Sequence, residues 1–103
     1  MSITEDQIVE LGIDGDERLF LRPRAGTFSH IYRAAMQVEW DPVRLVLQSP
    51  KPREWSYLDW FRQIIAAAAS EYSVRLKSTP ATIWTNVPEV LRAEIEHEQT
   101  TFD

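Results

Sequence analysis

Between Ser49 and Leu76 the apolar positions repeat with the spacing of a helix. Leu58, Phe61, Ile65, Ala68, Tyr72 and Leu76 recur every three or four residues, while Asp59, Arg62, Gln63, Ser70 and Ser73 fall on the opposite side. Ile64 and Ala67 widen the apolar stripe beyond a coiled-coil seam, so the helix predicted over 56–76 covers a sheet or a core. Its start is marked. Ser56 is an N-cap, a hydroxyl able to accept from an orphan amide of the first turn. Asp59 stands where a carboxylate reaches back to the cap and meets the positive helix end. Trp55 and Trp60 are spaced as a hydrophobic staple, and Pro50 and Pro52 hold the preceding chain extended. The smooth run Ala66–Ala69 lets another backbone come close, as ordinary packing or as the wall of a ligand groove.

Elsewhere the pattern alternates. Gln7–Leu11 and Arg18–Arg22 read as two strands around Asp14-Gly15, a strong short-range hairpin signal. In the second, Leu19 and Leu21 share one face, Arg18, Phe20 and Arg22 the other, and Pro23 ends the ladder. Gly26–Gln37 fits both periods: Phe28, Ile31, Tyr32, Ala35 and Met36 suit a helix capped by Thr27, whereas Tyr32, Ala34, Met36, Val38 and Trp40 suit a strand. The helix formers Arg33–Gln37 favour a short helix near 28–36 followed by strand Val38–Trp40. Asp41-Pro42 then turns the chain into strand Arg44–Gln48, and Ala81–Thr85 reads as a further strand. Asn86, Pro88 and Glu89 announce a last helix, with Val87, Leu91 and Ile95 on a narrow apolar face. The expected architecture is a single α+β domain over 1–103, frayed at 1–5 and 99–103. It has a mainly antiparallel sheet of four to five strands, one long helix across a face, and a C-terminal helix.

At 103 residues the chain suffices for one core, though added burial in an oligomer would stabilise it further. Its 44% hydrophobic and 11% aromatic content argues against disorder. No apolar run is long enough to span a bilayer, and Met1–Glu10 has no basic, apolar leader pattern. With no cysteine there is no disulfide, thiol nucleophile or thiolate metal site, and a reducing cytoplasm is the expected setting. The net charge of −5 is unevenly spread: −6 over 1–17, +5 over 18–53, zero over 54–88 and −4 over 89–103. The basic middle either attracts an anionic partner or is neutralised by the acidic ends. Because the total is acidic, self-neutralisation is expected and nucleic acid is not.

The segments SPKPREWSYLDWF (49–61), ASEY (69–72) and TIWTNVP (82–88) resemble short orphan proteins encoded in integron gene cassettes. The resemblance spans about two thirds of the chain. It implies a bacterial, mobile-element origin and a compact, often oligomeric α+β domain, and it carries over no site residues.

Searching for chemistry returns few candidates. Asp14-Gly15-Asp16-Glu17 lacks the glycine and final glutamate of a calcium loop, and no glycine-rich phosphate loop occurs. Neither histidine belongs to a recognisable triad. Glu94 and His97 match the Glu-x-x-His spacing, but a carboxylate-bridged metal site needs that motif twice, so neither a metal nor a cofactor is expected.

Three functions remain. The first is a non-catalytic interaction domain, homodimeric, binding a protein or small anionic ligand through an exposed sheet face or the Pro-Arg segment. That face would carry Phe20, Val46 and Trp84 ringed by Arg18, Arg22 and Arg44, the chemistry of binding hot spots. The second is a ligand sensor with a pocket lined by Trp40, Tyr57, Trp60 and Trp84. The third is a small enzyme acting on an anion with Arg22, Arg24, His30 or Arg53.

Overall fold

The first strand organises the sheet. The structure, a computed structural model, describes residues 4–101. Its elements are β1 (Thr4–Ile13), β2 (Leu19–Pro23), β3 (Glu39–Asp41), β4 (Val46–Gln48), α1 (Tyr57–Tyr72), β5 (Val74–Lys77), β6 (Ile83–Thr85) and α2 (Glu89–Thr101). Along one edge β1 runs antiparallel to β2, with Leu11 opposite Leu21 and a bulge between Ile8 and Glu10. Its other edge is shared. Thr4–Gln7 pair in parallel with β5, and Glu10–Gly12 pair in parallel with β6. At the seam between these two partners the Thr82 hydroxyl donates to the Ile8 carbonyl at 2.7 Å, giving a buried main-chain acceptor its partner. Beyond β2, strands β4 and β3 extend the sheet with antiparallel pairing.

One face of this sheet is the core. Ile8, Leu11, Leu19, Leu21, Leu47 and Leu76 are essentially inaccessible, and they cluster with Phe61, Ile64, Ala67 and Ala68 of α1 and Leu91 and Ile95 of α2. The α+β fold, the long helix across the sheet and the C-terminal helix are those the patterning predicts. The cap is also as predicted. Ser56 Oγ accepts from the Asp59 amide at 3.2 Å, Asp59 Oδ2 accepts from the Ser56 amide at 3.0 Å, and the Trp55 and Trp60 rings lie 4.7 Å apart.

Several boundaries differ from expectation. The helix ends at Tyr72, not Leu76, because Ser73 adopts a left-handed conformation with φ 55° and Val74 opens β5. A spacing of four satisfies helix and strand alike, so Tyr72 and Leu76 matched a period that had already stopped. The buried stripe of α1 centres on Trp60, Phe61, Ile64, Ala67 and Ala68, with Leu58 and Ile65 at its flank. Of the helix expected near 28–36, only a 3-10 turn at Ile31–Arg33 forms, and Thr27 does not cap it. Asp14-Gly15 does turn β1 into β2, but the left-handed residue is Glu17. Asp14 Oδ1 organises that loop by accepting from the amides of Asp16 and Arg18. Strand β4 begins at Val46 rather than Arg44, since Leu45 is left-handed within the Asp41 turn. Asn86 does not cap α2; it too is left-handed, and its side-chain amide donates to the Ile13 carbonyl. Of the ends expected to fray, Thr4 and Glu5 are paired with β5 and 99–101 continue α2, while 1–3, 102 and 103 lie outside the described residues.

Candidate functional site

The Pro-Arg segment is held at both ends. At its start Ser49 is buried: its amide donates to the Leu19 carbonyl, its hydroxyl accepts from the Leu19 amide at 3.1 Å and donates to the Pro50 carbonyl at 2.8 Å. At its end Ser56 locks the segment to α1. Between these anchors Lys51 pairs with Glu17 at 2.8 Å, and just past them the Tyr57 hydroxyl of α1 donates to the Glu17 carbonyl at 3.0 Å, tying the segment to the β1–β2 loop. The Glu17 carboxylate raises the Lys51 pKa by accepting its hydrogen bond, and partial burial raises that of Tyr57.

This segment forms one wall of an open cleft of about 870 Å³. The opposite wall is the 3-10 turn's exit, Ala35, Met36 and Gln37, with Glu39; the floor is Trp60 and Gln63 of α1. Pro50, Lys51, Arg53, Glu54 and Trp55 complete it. Met36 is 90% exposed and Trp55 45% exposed, whereas Trp60 is 9% exposed. The Trp60 Nε1–H is buried and has no acceptor among the described residues. Buried donors without an acceptor are rare in native proteins, and each calls for an explanation.

The expected sites are not assembled as the sequence suggests. Trp84 lies on the core side: its parallel partner is Leu11, it packs against the core cluster, and Arg92 stacks 5.0 Å over its ring. Ile83, which Trp84 on the outer face would have turned inward, is 58% exposed. Phe20 and Val46 do lie on the outer face, yet they are buried within the chain. Arg44 stacks 4.9 Å over Phe20 and pairs with Asp14, Arg22 pairs with Glu10 at 2.8 Å, and Arg18 reaches Glu39 at 3.6 Å. The guanidinium rim therefore covers the aromatic ring instead of framing an open patch. Of the sensor pocket's four residues only Trp60 lines the cleft; Trp40 packs edge-on against Phe28 at 5.7 Å, and Tyr57 reaches toward Glu17. Of the anion-site candidates only Arg53 lines it. His30 is exposed, its amide donates to the Tyr72 hydroxyl, and its ring meets Tyr32 edge-on at 6.1 Å. Among the described residues no three His, Asp or Glu side chains converge as metal ligands, and no helix is long and apolar enough to cross a membrane.

A smaller cavity of about 190 Å³ lies where Ala66 and Ala69 face Arg75, Lys77, Glu98 and Gln99, and the Arg62–Glu98 ion pair crosses it. The residues that sequence reasoning missed, Met36, Gln37, Glu54 and Gln63, belong to the larger cleft. The available signals were the Pro-Arg segment, Trp60 and Arg53, which sequence reasoning placed in three separate readings and which all line this cleft.

No curated protein matches the chain. A solved structure of the integron cassette protein Hfx_Cass5, from the mobile metagenome of the North West Arm sewage outfall, is 41% identical. That match covers 96% of this chain and 99% of the other, with a TM-score of 0.49. The family model for Integron Cassette Protein Hfx_Cass5 matches residues 6–82. On that match over about three quarters of its length, the chain belongs to the Hfx_Cass5 integron cassette protein family.

Proposed function

We propose that the chain is a non-catalytic binding module that takes its partner in the cleft between the Pro-Arg segment and the start of α1. The observation that carries this reading is that Trp60, whose buried indole N–H has no acceptor among the described residues, lines a cleft that also exposes Trp55 and Met36. Exposed aromatic and methionine surface around a donor lacking its partner is the composition of a recognition site. The cleft offers no nucleophile–base pair, and its charged side chains are dispersed along the rim. A fragment library screened by amide and indole NMR shifts tests it. Hits are expected to move the Trp60 indole resonance together with residues 35–37 and 50–55, and Trp55→Ala should abolish them. Hits gathered instead around His30 or the outer sheet face would overturn the assignment.

A homodimer closed over the outer face is a second reading, favoured by Ile83, which stays 58% exposed on that face beside the Glu10–Thr85 hydrogen bond. Light scattering should then report a dimer that Ile83→Lys converts to a folded monomer. A wild-type monomer at high micromolar concentration rules it out.

A further inference from the structure

We infer that the occupant of the cleft is an extended, proline-rich segment of a partner protein, electrically neutral where it crosses the two indoles; the inference rests on the binding-module reading above. Charge selects against an ionic ligand. Lys51 is neutralised by Glu17 at 2.8 Å and Glu39 is engaged by Arg18 at 3.6 Å. The remaining lining charges, Arg53 and Glu54, are adjacent and opposite. No net field is left to draw in an anion or a cation.

Backbone chemistry narrows the choice further. A β-strand ligand needs a wall with paired main-chain donors and acceptors, but this wall contains Pro50 and Pro52, which have no amide hydrogen. A helical ligand presents carbonyls already used within the helix. A polyproline II segment has every carbonyl free and, at each proline, no N–H to leave unsatisfied. It therefore brings the acceptor that Trp60 Nε1 lacks without burying new donors. Its rings pack on flat apolar side chains, and the exposed Trp55 ring, 4.7 Å from the nearly buried Trp60 ring and tilted by 46° to it, supplies such a surface beside Met36. Being extended before it binds, it also loses little conformational freedom. Because Trp60 Nε1 is inaccessible, the ligand carbonyl reaches it only if a neighbouring side chain shifts, and the half-exposed Trp55 packed against the Trp60 ring is the one assigned that movement.

An oligoproline peptide titrated into the full chain, read by tryptophan fluorescence and by the indole N–H resonances, tests this. Controls of equal length are an amphipathic helical peptide, a polyglutamate and a polylysine. Saturable oligoproline binding that shifts the Trp60 indole resonance and is insensitive to salt supports the inference. Trp60→Phe, which keeps a ring and removes the donor, should weaken binding by about tenfold, and Trp55→Ala should remove it while the amide spectrum stays folded. If a helical or charged peptide, or only fragments, occupy the cleft, the proline-rich assignment falls and the binding module stands. If neither peptides nor fragments bind there, both fall.

Discussion

Trp60 serves two environments with one side chain. Its ring is packed in the core cluster, yet it also lines the cleft, and its N–H finds no acceptor among the described residues. Truncation to alanine should cost about 3–5 kcal/mol, the usual loss for a buried aromatic ring, whereas Ser56→Ala should cost about 1 kcal/mol through the lost cap. Denaturant melts giving the reverse order would show that the helix start is held by something other than the capping box. At the β3–β4 turn, Asp41 Oδ1 accepts from the amides of Val43 at 2.9 Å and Arg44 at 3.2 Å. Hydrogen bonds from the Arg44 amide and then the Val43 amide lower its pKa below the ordinary carboxylate value. Because the folded pKa is the lower one, this support is present above the unfolded value of about 3.9 and fades as pH falls through the folded value. The Val43 and Arg44 amide resonances should therefore titrate below about pH 4, and Asp41→Asn should erase that transition.

Within α1, the start was more legible than the end. Ser56, Asp59, Trp55 and Trp60 announce α1 because a cap is local chemistry read over a few residues. Its end depends on Ser73, an L-residue held left-handed, and no side-chain pattern marks that. Ser73→Gly should therefore raise stability by about 0.5–1 kcal/mol, since a Cβ in this conformation is strained; an unchanged melting temperature would place the strain elsewhere. The same locality explains the inverted Trp84. Alternation establishes that Ile83 and Trp84 face opposite ways, but only the parallel register with Leu11 decides which faces the core, and that register joins residues far apart in the chain. The cleft was illegible for a related reason. Its walls come from the loop after the 3-10 turn, the Pro-Arg segment and α1, and the sequence marked the Pro-Arg segment, Arg53 and Trp60 without showing that they meet.

Over the whole molecule the charge blocks meet as ion pairs. Glu10, Asp14 and Glu17 of the acidic first segment pair with Arg22, Arg44 and Lys51 of the basic middle. These contacts are largely exposed and add little stability each, but they spend the basic surplus within the chain. No sub-micromolar, steeply salt-dependent binding to DNA or RNA is therefore expected in an anisotropy titration. Trp84→Glu should unfold the protein, because it places a carboxylate beside Leu11 on the core side; a folded, monodisperse variant by circular dichroism and light scattering would contradict that placement. The shared edge of β1 has one more consequence. Strand β1 acquires its two parallel partners only once residues 74–77 and 83–85, synthesised after it, have left the ribosome. Until then its second edge is an open template for pairing with any neighbouring chain, and its closure must span most of the polypeptide. Folding is thus governed by long-range loop closure. Gly12 makes that closure possible, since a side chain there would lie 2.6 Å from the Thr85 carbonyl and block the last strand from docking.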